Sequence, residues 1–549
     1  MIVKMKHLDL ICVAADGEAT LERLRGLGVV HLDLASAQGE GVAKAQGEAA
    51  DAEKAVRLIR KARETMGDEV AVKALSVADL LALDKDRETL KGAADELRRT
   101  IRIYEPYGDF DPELVKKIRA AGVDLSGVVE LPERLPEMRL SEMKAKFARL
   151  SEEVASDTEK IAACDEKAIL ARYPEIADRI AFEEAKELLK NQGAISLISG
   201  WIPVSLVGTL KGEVAKAGWG ILLRDPTADE VPPTLIEPPK LFRPVKALFD
   251  GLGVVPAYTE ADVSVPFMCY FSIFFAMLVG DGAYGAIFLA ATIWAWRKFG
   301  RNSWVILMTV FSSATILWGL LSNTWFGAAI PWCANWPTVK WLADPSYRNM
   351  MFLCFTIGVS HLMLARIWNG ICKLNDTSCL AEFGWAGILL FMYWVTNSIV
   401  GVFASIPTAI FWVFGISLVL VFGFTLKPSE LKTRGAELGM LPLNVMSALG
   451  DIISYVRLFA VGLASVKVAE NFNAMATGLV TGEHAWWVTA LCSVAMVLIL
   501  LFGHVLNLMM AGLSILVHAV RLNTLEFSNH KGVSWSGYAF RPFRRRKAK

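Results

Sequence analysis

The sequence predicts a two-part chain. N-terminal cytoplasmic α+β lobes, joined by an antiparallel coiled coil, precede an all-α polytopic membrane domain of about eight transmembrane helices, the last two long and tilted. Three observations predict it. Residues 1–250 are rich in Glu, Lys, Arg, Asp and Ala, whereas 264–522 hold few charges and most of the Trp and Phe. Two Ala-rich, charged stretches of the first part carry apolar residues at alternating four- and three-residue spacing. The second part contains a series of apolar segments long enough to cross a bilayer.

Averaged over its 549 residues, the chain is 54% hydrophobic and 21% charged with a net charge of +1, a balance that gives no sign of nucleic-acid binding. Residues 1–15 include Lys4, Lys6 and Asp9 and read as a strand, not a signal peptide, which keeps the soluble half in the cytoplasm. The 8 cysteines are scattered without a CxxC pair, so a reducing compartment and no structural zinc are expected.

Taken in order, 4–13 is strand-like, 17–27 helical and 29–34 strand-like again, a small α/β unit. A second such unit lies at 194–225. The expected arm, 1–250, has a proximal lobe at 1–38 and 194–230, a coiled coil at 39–104 and 138–193, and a distal lobe at 105–137. A linker follows at 231–262. One seam reads Met143, Phe147, Leu150, Val154, Ile161, Cys164, Ala168 and Ala171, with a gap at Asp157, and Pro174 ends it. The matching seam reads Leu83, Leu90, Ala94, Leu97 and Ile101. A rod with a lobe at each end is a lever or tether; an ordinary helical domain is the plainer alternative.

The membrane domain is expected at 263–525, with a basic cytoplasmic tail at 526–549. Its apolar segments are 303–325, 350–368, 384–403, 406–424, 440–476 and 485–521. The run 263–296 ahead of them exceeds the ~20 residues of one pass and is broken by GDGAYG at 280–285. The basic connections 296–301, 426–434 and 541–547 fall together on the cytoplasmic side only if 263–296 crosses twice. That gives eight passes with both termini inside and puts 326–348 outside. The last two segments would reach roughly 55 Å against a hydrocarbon core of ~30 Å, so they tilt or protrude.

The residue that points to function is Arg457, inside the apolar run 445–463. A guanidinium at mid-bilayer costs at least ~2.5 kcal/mol and stays charged, which suggests ion handling. At ~100° per residue its face carries Gly450, Ile453, Ser454, Ala460, Val461, Ala464 and Val468, small enough for another helix to pass close by. Such a face wants a membrane-embedded carboxylate, and no obvious one occurs on this chain at matching depth. Pairing within its own bundle, with Asp281 or Asp451, is the alternative.

On the last helix Asn507, Ser514, His518 and Arg521 share a face, with His504 beside it. This polar stripe lines a water-filled half-channel or a helix interface. His518 can titrate near neutral pH, and Arg521 reads equally as an interfacial anchor. Glu470, Asn471, Asn473, Glu483 and His484 cluster at the outer turn between the last two helices, either as the mouth of an exit path or as solvated loop charges. His361 and Arg366 are further candidates; Glu382, Glu430 and Glu437 mark cytoplasmic helix ends. No GxxxxGK[ST] occurs, so nucleotide chemistry is not expected on this chain.

SYVRLFAVGLA (454–464) together with LVHAVRLNTLEF (516–527) resembles the ion-translocating stator subunit of V-type and archaeal/bacterial V/A-type rotary ATPases, called subunit I in prokaryotes and subunit a in eukaryotes. FFAMLVGDGAYGAI, SGWIPV and the opening MKHLDL…LRGLGVVHL fit as well, so the resemblance covers essentially the whole chain in order. It implies a static partner of a rotating c-ring of small proteolipid subunits, each bearing a membrane-embedded carboxylate. It also implies peripheral-stalk E/G-type and central-stalk d/C-type partners, ATP sites on other subunits and no cofactor. By resemblance, Arg457 releases the ion (H⁺ or Na⁺) from each arriving carboxylate and blocks a short circuit between half-channels. Arg521 is the second arginine, His518 its neighbour, and the lobes and coiled coil hold the peripheral stalks.

Two positions depart from the eukaryotic pattern: a glutamate ten residues before the second arginine is Ala511, and a histidine eight residues after the first is Ser465. His504, Asn507, Glu470 and Glu483 are then expected to supply the polar lining. The implied location is multi-pass in a prokaryotic plasma membrane. The alternative is a secondary ion transporter with a regulatory coiled-coil domain, although no convincing repeat is visible. A membrane-anchored scaffold or sensor would explain the rod but not Arg457.

Overall fold

The computed structural model describes residues 1–33, 39–66, 75–121, 132, 134–187, 189–192, 194–425, 439–481 and 486–545. Glu430, Glu437, Glu483, His484 and the basic connection 426–434 lie outside the described residues. Two compact units result, one of 5–227 with 541–549, the other of 1–4 with 228–540.

In the first unit, β1 (Met5–Val13), α1 (Gly17–Leu27) and β2 (His31–Leu32) form one βαβ piece. The strand β4 (Ile195–Pro203), with α7 (Val207–Ala217) and β5 (Gly220–Arg224), forms the other. Their strands interlock in the order β2-β4-β1-β5, with the short β3 (Lys190–Gln192) also on β4. Each piece thus places its edge strand against the long strand of the other. The central pairing is antiparallel, with His7 opposite Trp201 and Leu10 opposite Ile198. Alternation turns Leu8, Leu10 and Cys12 onto one face, where they meet Leu21, Leu24, Ile198, Ile202 and Leu210.

Between these pieces the chain forms α2 (Glu40–Met66), α3 (Val77–Tyr104), α4 (Pro112–Ala120), α5 (Leu140–Ala162) and α6 (Glu166–Glu187). The α3 helix packs along α5, and α2 along α6. Ser76 caps α3 by accepting from the Asp79 amide at 3.1 Å, and Asp111 caps α4 ahead of a proline at its first turn. Met143, Ile161 and Cys164 of the expected seam are buried, and Asp157, at the gap, is buried against Lys160. The end of the seam differs from expectation. Pro174 lies inside α6; the helix instead breaks between Ala162 and Glu166. Arg63 bridges the break by donating to Ala162 O (3.0 Å) and Cys164 O (2.8 Å). The break rotates the register by one position, so Ile169 is buried where Ala168 and Ala171 are exposed.

The second unit is helical. After α8 (Val245–Leu252) come α9 (Ser264–Val279) and α10 (Gly282–Phe299), apolar helices bent by 120° at the GDGAYG sequence. The first three residues of that turn each have a local reason. Gly280 closes α9 at φ +72°, a conformation that side chains rarely adopt. Asp281 caps α10 through the Ala283 amide at 2.8 Å. Gly282 lies against Gly319 so closely that no Cβ fits between them.

The chain continues through α11 (Ser303–Ser322), α12 (Pro337–Leu342), α13 (Arg348–Cys372), α14 (Cys379–Ile399), α15 (Thr408–Phe424), α16 (Leu441–Ile453), α17 (Val456–Gly478) and α18 (Trp486–Ser514). Two π-type segments, Ile515–Ala519 and Leu522–Phe527, and the short α19 (Ser528–Lys531) extend α18. By length and apolar composition, 5 of the described helices suffice to cross a membrane: α11, α13, α14, the α16–α17 rod and the rod beginning at α18. The helix α9 is apolar all round and buried on nearly every side, with Phe267, Phe271, Phe274 and Phe275 at the centre of a core that includes Phe311, Phe355 and Leu458.

Candidate functional site

The run that holds Arg457 is not one straight helix. The chain tightens at Ser454 and Tyr455, where amides reach back three residues instead of four (Tyr455 N to Ile452 O, Arg457 N to Ser454 O, Leu458 N to Tyr455 O). Tyr455 is fully buried and meets His361 Nδ1 at 2.9 Å, which pins the break to α13. The Ser454 carbonyl accepts twice from Arg457, from its amide at 3.3 Å and from Nε at 2.8 Å. The same guanidinium donates from Nη2 to Glu526 Oε1 at 2.5 Å.

Glu526 is the residue that sequence reasoning missed. Arg457 does ion-pair within its own bundle, but with neither Asp281 nor Asp451. Asp281 accepts from Ala283 and from the Gly327 amide (2.9 Å), and Asp451 pairs with His530 Nε2 at 3.0 Å. The expectation that no carboxylate lies at matching depth is therefore corrected. The last helical rod runs past the expected apolar segment 485–521 to Lys531, and Glu526 is buried on it, its side chain 7% exposed. In a π-type turn amides reach back five residues, so residues five apart stack. Arg521 and Glu526 are five apart, and Arg521 Nε lies 3.5 Å from the same Oε1. Ser454 Oγ lies 3.3 Å from it, while Oε2 is buried with no hydrogen-bond partner among the described residues.

The expected polar stripe on the last helix does not hold together as one line. Asn507 is buried and bonds Ser465 twice: its Nδ2 donates to the Ser465 carbonyl and its Oδ1 accepts from the hydroxyl, each at 2.9 Å. Tyr284, on α10, accepts from Asn507 at 3.1 Å and meets His504 Nδ1 at 2.8 Å. Asn507, His504 and Ser465 thus form one network at the GDGAYG turn. Ser514 spends its hydroxyl on its own helix, donating to Met510 O. The His518 Nδ1 is buried without a partner among the described residues, and Arg521 is half exposed beside Glu526. Glu470 pairs with Lys467 at 2.6 Å, and Asn473 donates to Phe326 O.

A second charged chain surrounds Asp451. Arg366 Nε donates to His530 Nδ1 at 3.1 Å, leaving Nε2 as the donor to Asp451. Arg366 also reaches Glu382 at 3.1 Å, as does Lys373 at 2.6 Å. A cavity of about 550 Å³ opens beside Arg366, Asn444, Asp451 and His530. Another, of about 230 Å³, is lined by Gly280, Leu458, Gly462, Lys467 and Glu470. Along α16–α17 the two cavities lie on opposite sides of Arg457.

Much of this region is uncovered. Gly450, Ile453, Ala460 and Ala464, on the Arg457 face, are exposed. In the rod 486–531, the most apolar window has a mean hydropathy of 2.3, yet only 6% of it is buried within the chain. No group of three or more His, Cys, Asp or Glu suited to a metal ion occurs among the described residues.

These features define a class: an α-helical membrane protein that also carries an α/β unit with long helices and has an arginine–carboxylate cluster at a helix break. Comparison with known proteins narrows it. The chain is 35% identical to the V-type ATP synthase subunit I of Borreliella burgdorferi, over 64% of this chain and 60% of that one. It is 28% identical to the V-type ATP synthase subunit I 1 of Treponema pallidum over the full length of both. The A-type ATP synthase subunit I of Methanocaldococcus jannaschii is 23% identical over 78% of this chain and 66% of its own. No family model matches the chain. The chain is thus similar in sequence to the subunit I proteins of V- and A-type ATP synthases, and it spans 60% of the length of the Borreliella burgdorferi relative.

Proposed function

We propose that this chain is the static, ion-translocating subunit of a V/A-type rotary ATPase. Its membrane part, crossing eight times with both termini cytoplasmic, faces a rotating c-ring of small apolar subunits. The observation that carries the reading is the exposed, small-residue face around Arg457 beside a long apolar rod that its own chain leaves uncovered. A fixed cation on such a face attracts a membrane-embedded carboxylate on a partner and favours its ionised form, because Coulomb attraction is strong at a poorly hydrated interface. The bound ion leaves as that carboxylate arrives. Arg457 then separates two access paths, one by way of the Asp451–His530 cavity, the other by way of the cavity at Gly462–Glu470 with the Tyr284–Asn507 network. ATP chemistry belongs to other subunits. The arm formed by the sheet and the long helices anchors peripheral-stalk E/G-type subunits, and the central-stalk d/C-type subunit completes the contacts.

ATP-driven ion uptake into vesicles bearing the assembled complex tests this, comparing the native chain with Arg457→Gln. Abolished uptake with the complex intact by native gel is expected. Near-native uptake would make Arg457 a structural charge and overturn the proposal.

A further inference from the structure

Two guanidiniums converge on one carboxylate at this site, and the arithmetic of that group matters. Arg457 and Arg521 contribute +2 and Glu526 contributes −1, so the cluster carries +1. Of the five N–H donors of Arg457, Nε serves the Ser454 carbonyl and one on Nη2 serves Glu526. Among the described residues the other three have no hydrogen-bond partner, and the side chain is 21% exposed. Asp451, the other acidic group nearby on α16, is held by His530 and does not compete.

We propose that Glu526 is the resting counter-ion of Arg457, a resident carboxylate that alternates with the carboxylate of an arriving ring subunit. This rests on the proposed stator function. Between arrivals, Glu526 pairs with the Arg457 guanidinium and lowers the charge of the cluster from +2 to +1 in a low-dielectric face. When a ring carboxylate engages the free edge, the cluster becomes neutral and the contact with Glu526 loosens; Ser454 and Arg521, each within 3.5 Å of Oε1, then keep Glu526 in place. When the ring subunit leaves, Glu526 recaptures Arg457. Without Glu526 the cluster would carry +2, hold each arriving carboxylate too long and slow every step. Glu526 is thus a positioning residue: it acts on the ion through Arg457 and contacts no ion itself.

The test compares native chain, Glu526→Gln, Glu526→Asp and Arg457→Gln in the assembled complex in vesicles. ATP hydrolysis is followed together with H⁺ uptake by a pH-sensitive dye and Na⁺ uptake by tracer. For Glu526→Gln, uptake and hydrolysis should fall together at least tenfold, with the ratio of ions to ATP retained and no passive leak. Glu526→Asp should recover part of the loss. A near-native rate for Glu526→Gln, or hydrolysis that persists while uptake is lost, overturns the proposal. If Glu526→Gln does not assemble, electron cryo-microscopy of the native complex in its separate rotary states decides. The Arg457–Glu526 contact should be open in states with a ring carboxylate at Arg457 and closed in the others, and a contact closed in every state overturns the proposal. Dead Arg457→Gln with near-native Glu526→Gln removes only this inference, whereas near-native Arg457→Gln removes the stator reading itself.

Discussion

Gly319→Ala is the sharpest probe of how the helical unit is assembled. A methyl at that position would lie 2.2 Å from Gly282 Cα and 2.3 Å from Gly282 N. Carbon atoms in contact sit at ~3.5–4.0 Å, so α10 and α11 must separate by roughly 1.5 Å. The obstruction is backbone, which no side-chain rotation relieves, and overpacking of this kind costs ~1–3 kcal/mol. The unfolding midpoint in detergent, read by tryptophan fluorescence, should fall by about 2–10 °C. Gly415→Ala is the matched control, since its Cβ meets nothing within 4 Å. It isolates the ~1 kcal/mol that alanine gains in any helix. Separation of α10 also carries Tyr284 away from His504 and Asn507, now at 2.8 and 3.1 Å and soon beyond hydrogen-bonding range. Indistinguishable midpoints for the two variants would refute the packing argument.

Tyr284→Phe removes the hydroxyl shared by His504 and Asn507 and should cost ~1–3 kcal/mol in unfolding free energy; ion uptake by the assembled complex should fall severalfold while the complex remains intact. His31, in the α/β unit, accepts from the Arg541 amide at 3.0 Å. Burial holds its ring below its ordinary pKa, against raising influences from the Arg541 backbone and Asp33. The unfolded chain therefore takes up a proton first as pH falls below about 6.5, and stability declines in that direction. Unfolding midpoints measured from pH 7.5 down to 5.5 should drop more for the native chain than for His31→Gln.

The sequence announced the charge but not its partner. Arg457 stood out because guanidinium and apolar helix are incompatible without compensation. Glu526 lay in a motif already singled out, yet a constant 100° per residue turns it away from Arg521, and only the π-type segment brings them together. The same assumption produced the single stripe through Asn507, Ser514, His518 and Arg521, whose members engage different neighbours. Breaks were legible where glycine marks them, as at GDGAYG. They were hidden where no glycine or proline occurs, as at Ser454–Tyr455 and at Ala162–Glu166. Pro174 misled in the opposite direction: it lies inside α6, and the break that ends the seam comes earlier, between Ala162 and Glu166. Leu8, Leu10 and Ile198 showed their strand alternation plainly, but the interlocking of the two βαβ pieces depends on contacts about 190 residues apart, which no local pattern encodes.

The bond from Arg457 Nε to its own Ser454 carbonyl bears on the timing of events at the site. A free arginine side chain samples many rotamers, and stilling it forfeits about 2 kcal/mol of entropy. Here that freedom is forfeited once, at folding, because the charge is leashed to the backbone three residues behind it. On the proposed function, each arriving carboxylate would then meet a cation already aimed, whose position follows the helix as a rigid body. A displacement of the α16–α17 joint would move the charge with it, so the accuracy of the encounter is set by the stiffness of a backbone turn and not by the wandering of a long flexible side chain.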